Sequence, residues 1–597
     1  VSVCACGSGL DAGACCSLDV AGLEPARPSD ANEARLAALL DAAARHDGKA
    51  ATDIAIAVLS EQPTLVEALW VLFQIRKSQG QRAAAMALLR RMTALAPQEP
   101  SFAVRLVESL VLEGAWDEAE AAARRIVRLV PDDAQAQGVL GLVFSMRERL
   151  PEGEMHLRRA LALCDGRPPR LLMQLAANRE SQGHIGEARA FYEEASGMSA
   201  VAPEAQFALA RLEWIEGHAG RMAERLERLG DAARRSPAAV TLRARAAYDE
   251  GDFDAVLAAF DASREAGRDP SPTDRYLIGQ ALDRLGRYDE AFAAFERANA
   301  GHVDNAGAAL DTARFKSMSE AVRGFLTAPT LERLPRASVA PGPQPLFIVG
   351  FPRSGTTMLE QSLSMHPRIV AGGELPSLLG VASAAPRLLA CPLAYPAALS
   401  ELWIADQRDQ IGLLRDHYLN SAKRSLPGDA AAWFTDKALA HEVHLGLAHL
   451  LFPASPIVHI VRHPLDVVVS GYANGLPHGG YRGGIGQVAE FYRLLLETAE
   501  HFQANAPSLR YMRVRYEDIV DDQEHWTRAI LDFIGEPFDA ACLRFHENER
   551  RSPTLSRRQV REPLNAKSKF RYRNYIEHLG PAIGVLEPAI DKLGYEI

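Results

Sequence analysis

The chain has 597 residues, 48% of them hydrophobic and 24% charged, with a formal net charge of -10. That length is too great for one hydrophobic core and predicts two or more domains, while the acidic balance argues against a general nucleic-acid binder. No apolar run approaches the roughly 18 residues a membrane helix needs and no secretory signal is visible, so the chain reads as soluble and cytoplasmic, without a membrane or nucleic-acid partner. At the amino end, Cys4, Cys6, Cys15 and Cys16 in CACGSGLDAGACC are four of only seven cysteines. An odd total crowded in this way suits a metal or reduced thiols better than a disulfide framework, and four thiolates on a segment too short for its own core suit a tetrahedral structural zinc.

The next 300 residues are rich in Ala, Leu, Arg and Glu and carry a repeat. Glycines fall at Gly80 and Gly114, then at Gly183, Gly217, Gly251 and Gly286, in steps of 34 or 35 apart from one double interval. Prolines keep the same beat at Pro63, Pro97 and Pro131, and again at Pro169, Pro203 and Pro237. Between them lie blocks such as GAWDEAEAAARRIVRLVP and GRYDEAFAAFERAN, with apolar positions at helical spacing. Each unit is predicted as a helix, a tight turn at the glycine, a second helix and a proline stop. Over residues 31–315 this resembles the tetratricopeptide repeat; the unit around Arg147 to Pro151 has lost its glycine. Such repeats stack into a superhelix whose concave face holds a peptide or partner protein. A spacer or dimerisation arm is the plainer alternative, compatible with a homodimer. The preceding cysteine pattern resembles the zinc-binding SEC-C module, with residues 1–30 as that motif and its connection; Ala5 stands where that module usually has proline.

Residues 316–344 are expected to be a linker, since LPRASVAPGPQ is rich in proline and small residues. From Pro345 to the end, strands alternate with helices, the signature of a parallel α/β sheet. The most informative stretch is PLFIVGFPRSGTTMLEQ, Pro345 to Gln361. Leu346 to Val349 reads as a buried strand, Gly350 to Gly355 as a loop, and a helix begins near Thr356. Backbone N–H groups and the positive end of the helix dipole then converge on an anion. The spacing nearly reproduces the nucleotide-triphosphatase pattern GxxxxGK[ST], but Thr356 stands in place of the lysine and Arg353 adds a cation inside the loop. A second unit, PIVHIVRHPLDVVVSGY, places Arg462 at the carboxyl end of a strand and Ser470 about two turns into the helix opened by Pro464. Ligands bind outside the carboxyl ends of strands in open α/β sheets, so Arg462 and Ser470 can take a second phosphate.

Together, strand-GFPRSGTT-helix and strand-RHP-x5-S resemble the sulfotransferase fold that uses 3′-phosphoadenosine 5′-phosphosulfate (PAPS) and releases the 3′,5′-bisphosphate (PAP). Within that fold, residues 345–597 are most similar to tyrosylprotein sulfotransferases and their bacterial, repeat-bearing relatives. The resemblance implies that Arg353, Ser354, Gly355, Thr356 and Thr357 hold the 5′-phosphosulfate, and that Arg462 and Ser470 hold the 3′-phosphate. It makes Glu374, in AGGELPS, the catalytic base, a role a carboxylate near the phosphosulfate can fill for a hydroxyl acceptor. It makes Lys437, at the end of AAWFTDK, the cation that steadies the leaving group, with Asp436 as its salt-bridge partner. Ser556, in SRRQVREPLN, would contact the phosphosulfate, and Arg353 would join it and Lys437 in stabilising the transition state. Nine Lys or Arg residues lie from Arg550 to Arg573, and among them Arg561 and Lys569 are candidate phosphate contacts. Tyr516, Glu517 and Asp518 are read as structural. HEVH, His441 to His444, spaces its histidines at i and i+3, whereas a metalloprotease helix needs i and i+4, so these read as surface or core histidines. No catalytic metal is expected. The chain is thus expected to be a tetratricopeptide-repeat superhelix followed by an α/β P-loop sulfotransferase, with tyrosine of a peptide or protein as the preferred acceptor. A glycan or small-molecule acceptor is the alternative within that class. From other classes come a P-loop triphosphatase or kinase and a non-catalytic scaffold that binds nucleotide.

Overall fold

The computed structural model describes residues 3–20, 22–306, 312–339, 341–404, 409–426, 432–475, 483–548 and 563–597, with the backbone alone at 302–306 and 312–314. Two compact units divide the chain, Val1–Leu242 and Arg243–Ile597.

The first unit is helical. Antiparallel pairs such as Val66–Ser78 with Arg82–Leu95, and Pro100–Leu112 with Trp116–Leu129, repeat along it. On Trp116–Leu129 the buried positions are Ala119, Ala123 and Ile126, the i, i+4, i+7 stripe of an amphipathic helix. The small residue after each Glu is what lets paired helices approach: Ala119 is fully buried. The turns between paired helices need a left-handed residue. Where the glycine is lost, Glu148 adopts φ +59° in its place, a conformation that L side chains visit rarely. The prolines serve two ways. Pro97 and Pro131 sit in turns between units, whereas Pro169, Pro203 and Pro237 occupy the first turn of a helix and open a unit, where a missing N–H is harmless. The amino-terminal segment packs on the first repeats: Arg76 donates to Ser8 O at 2.7 and 3.0 Å, and Cys4, Leu10 and Cys15 join a core containing Leu39, Val58 and Leu72.

The second unit begins with the last repeats, the end of Pro237–Glu250, α1 (Phe253–Glu265), α2 (Pro272–Arg284) and α3 (Tyr288–Ala306). Residues 316–344 are not an extended connection. Helices Thr312–Phe325 and Ala328–Arg333 fill their first half, and Val322, Leu326, Leu331 and Leu334 are buried. Arg323 pairs with Glu497 at 3.1 Å and the Ala337 N–H donates to Leu450 O at 2.8 Å. The proline-rich composition is confined to the end of this stretch, and the amphipathic pattern before it folds as helix.

A five-stranded parallel sheet follows, in the order β2-β3-β1-β4-β5. Its strands are β1 (Gln344–Val349), β2 (Ile369–Val370), β3 (Trp433–Asp436), β4 (Ile457–Val461) and β5 (Tyr511–Arg515). Every residue of β4 is buried, as expected of a strand covered on both faces. The central β1 pairs with β3 on one side and β4 on the other, Phe347 facing both Asp436 and Ile457. Loops leaving three adjacent strands therefore share one edge. Two helices complete the frame, α4 (Thr356–Leu363) after β1 and α5 (Pro464–Tyr472) after β4. Among the described residues no helix is long and apolar enough to cross a membrane.

Candidate active site

The loop after β1 is shaped by two glycines. Gly350 has φ +149°, and a Cβ there would lie 2.4 Å from Ile460 O; Gly355, at φ +106°, caps α4, and a Cβ would meet the Tyr516 ring at 2.8 Å. Only glycine fits either position. Between them Arg353 also has positive φ, +75°, a strained setting of the kind found at ligand clamps. Its side chain donates from Nε to Ser470 Oγ at 3.2 Å. Arg462, buried at the end of β4, donates to Arg353 O at 3.3 Å and to Asp466 Oδ2 at 3.0 Å, and also reaches Ser568 O. Burial and the neighbouring Arg462 guanidinium push Arg353 down to about 10. Two cations held this close favour an anion beside them.

These groups open on a cavity of about 570 Å³, within the range of small-molecule sites. Arg353, Gly355, Thr356, Thr357 and Arg462 line it. Ser354 does not line it: it is buried, borders a separate small void with Glu442, and donates its N–H to Phe351 O at 3.0 Å. Ser470 is behind Arg353 and holds it.

Glu374 and Lys437 are brought together. Lys437 Nζ lies 2.9 Å from Glu374 Oε1, the lysine side chain 4% exposed and the glutamate 42%. They meet because the Lys437 N–H donates to Gly373 O at 2.9 Å. Neither lines the 570 Å³ cavity. Asp436 is not the partner of Lys437. Successive side chains at a strand end point to opposite faces, so Asp436 turns into the core, accepting from Tyr418 Oη at 2.6 Å and pairing with His441 Nε2 at 2.7 Å. His441 and His444 are accordingly core histidines. His444, beside Tyr395 Oη at 3.3 Å, is pushed down to about 3 by burial and by His441.

Glu360, on α4, was not singled out in the sequence, where it reads as an ordinary helix carboxylate. It is buried, and its Oε1 accepts from Gly373 N at 2.9 Å and Thr435 Oγ1 at 2.5 Å, tying the phosphate-loop helix to the turn that carries Glu374. Glu360→Ala leaves the buried Thr435 hydroxyl and the half-buried Gly373 N–H without that acceptor, at about 1–3 kcal/mol for the buried one; the expected result is a lower urea midpoint for unfolding.

Other predicted residues separate. Ser556 and Arg561 lie outside the described residues. Lys569 points away from the cavity, 2.5 Å from Asp521 Oδ1, while Lys567 and Ser568 line the cavity instead. Tyr516 is another lining residue, its ring centroid 5.0 Å from the Arg462 guanidinium. The sequence also gave no sign that Tyr248, Phe253 and Tyr288, from the repeats, reach this cavity.

At the amino end the four sulfurs of Cys4, Cys6, Cys15 and Cys16 lie within 4.8 Å of one another. Cys6 to Cys15 is 3.6 Å and Cys15 to Cys16 is 4.0 Å, on either side of the ~3.8 Å edge of a zinc–thiolate tetrahedron with bonds of about 2.3 Å. The cluster can hold a metal.

Residues 345–540 match the Sulfotransferase family, and residues 76–143 and 275–299 match tetratricopeptide repeats. An uncharacterized protein of Aquifex aeolicus is 27% identical over 329 residues, covering 53% of this chain; the match spans only 42% of that protein's length. Protein-tyrosine sulfotransferase 1 of Danio rerio is 24% identical over 279 residues, 42% of this chain and 72% of its own. Among solved structures, the sulfotransferase domain of the Synechococcus PCC 7002 olefin synthase is 20% identical with a TM-score of 0.30, covering 44% of this chain and 99% of that one. The chain therefore carries tetratricopeptide repeats followed by a sulfotransferase-family domain homologous to the protein-tyrosine sulfotransferases.

Proposed function

We propose that the protein transfers a sulfuryl group from PAPS to an acceptor hydroxyl, by preference a tyrosine of a peptide or protein held by the repeats. The observation that carries this reading is the convergence at the carboxyl ends of three adjacent strands. The phosphate loop leaves β1, Arg462 ends β4, and Lys437 follows β3 within 2.9 Å of Glu374. The loop N–H groups, Thr356, Thr357 and Arg353 take the 5′-phosphosulfate, and Arg462 takes the 3′-phosphate, with Ser470 positioning Arg353.

In the transfer, the acceptor oxygen attacks sulfur and its proton passes to a Glu374 carboxylate oxygen. The bond between sulfur and the bridging phosphate oxygen breaks, and that oxygen keeps the electron pair. Lys437 meets the charge developing there, and Arg353 with Ser556 steadies the sulfuryl oxygens. A phenol, with a reference pKa of about 10, gives up its proton to a carboxylate more readily than an aliphatic alcohol. In this reading no step calls on a metal: Arg353 and Lys437 are the groups assigned to the charges that develop.

The absence of the phosphate-loop lysine supplies the test. In equilibrium titrations without Mg²⁺, PAP should bind the full chain and ATP should compete poorly. ATP binding more tightly than PAP, with hydrolysis on adding Mg²⁺, would replace this reading with a triphosphatase. At the amino end we assign a structural zinc to the four cysteines, held as thiolates in the reducing cytoplasm. About one zinc per chain is expected by atomic absorption. Cys4→Ser or chelation should remove it and speed proteolysis within the first repeats, where Arg76 and Arg91 hold the segment.

A further inference from the structure

Five aromatic side chains line the phosphate-loop cavity among the described residues, and two are already committed. Phe545 is 2% exposed and belongs to the core beside the sheet. Tyr516 is 9% exposed and has the Arg462 guanidinium over its ring. The other three come from the repeats: Tyr248 near the end of Pro237–Glu250, Phe253 at the start of α1, and Tyr288 at the start of α3. All three are half-buried. Tyr248 and Phe253 meet edge to face with centroids 5.3 Å apart, and Tyr288 stands edge-on to Tyr575 at 5.5 Å.

This wall is fixed to the catalytic half. Asp283, at the end of α2, accepts from Arg571 Nη2 at 2.5 and 2.7 Å and from Tyr575 Oη at 2.5 Å. Phe292 of α3 stacks on His578 at 4.4 Å, and Asn299 Nδ2 donates to Tyr472 O at 3.1 Å, at the end of α5. A cavity with cations from the β1 and β4 loops and aromatic rings from the repeats suits a ligand with anionic phosphates and a planar base. Aromatic stacking accepts such a base without needing its hydrogen-bonding edge. Glu374 and Lys437 do not line the cavity, so an acceptor hydroxyl reaching them need not pass these rings.

We infer that the last repeats bind the purine base of the donor nucleotide, through Tyr248, Phe253 and Tyr288. The inference rests on the donor being a nucleotide, as proposed above. It makes the repeats part of the nucleotide site as well as a surface for the acceptor.

The test compares two probes by calorimetric titration of the full chain, PAP and the abasic ribose 3,5-bisphosphate. Tyr248→Leu and Phe253→Leu keep apolar volume but remove the ring, and each should weaken PAP about tenfold while leaving the abasic probe unchanged. Unchanged abasic binding also reports that the variant is folded. Tyr248→Trp, which keeps a ring, should retain PAP affinity. PAP binding by the leucine variants equal to wild type, or equal loss of both probes, would overturn the inference while the donor reading stands. Failure of wild type to bind PAP would overturn both.

Discussion

Glu374→Gln is expected to lower the turnover of sulfuryl transfer by about 10²- to 10⁴-fold, the range a positioned general base contributes. The amide keeps an oxygen that can accept from Lys437 Nζ, so the 2.9 Å contact at β3 has a successor, and the fold should be undisturbed. Nucleotide affinity should stay within about twofold of wild type, because Glu374 does not line the cavity and uniform binding is set elsewhere. Stopped single-turnover transfer with saturating donor, paired with a PAP titration, separates the two quantities. Turnover that survives the substitution would mean another group takes the acceptor proton.

Lys437→Met should cost about 10²–10³ in turnover, the usual effect of removing one preorganised charge from a transition state. Methionine keeps much of the buried stem's packing, and Glu374, 42% exposed, remains solvated without its partner. A small change in thermal midpoint is therefore expected beside the large kinetic one. The loss should appear in kcat with little change in acceptor KM, since charge on the bridging oxygen exists only as the bond breaks. A rise in KM at constant kcat would instead make Lys437 a binding residue.

Much of the frame was legible because it is local. Gly350 to Thr357 encodes its own strand-loop-helix by two glycines and a pair of threonines, and Arg462 and Ser470 were placed by strand length and by Pro464. The repeats announced themselves by period, and the lost glycine at Glu148 left its trace as positive φ. What could not be read locally depends on which faces meet. The strand order that puts β1 between β3 and β4 comes from crossovers, not from any one segment. Asp436 and Lys437 are adjacent and opposite in charge, so they read as a pair; strand alternation sends one to Tyr418 and His441 and the other to Glu374. Glu360 reads as surface until its partners, Thr435 and Gly373, arrive from 75 and 13 residues away. Tyr248, Phe253 and Tyr288 lie in the repeats, and that they line the cavity beside the phosphate loop, near where Asp283 binds Arg571, is not written in any one segment. In 316–344 the last eleven residues carry the proline-rich linker signal, while the first half folds as helix.

The most direct measurement is transfer of radiolabelled sulfur from PAPS to a tyrosine peptide by the full chain, beside Glu374→Gln and beside serine peptides and glycans as competing acceptors. Label on the tyrosine peptide with wild type and almost none with Glu374→Gln is the predicted result. No label on any acceptor from wild type that binds PAP would contradict sulfuryl transfer, and label confined to serine peptides or glycans would contradict the tyrosine assignment.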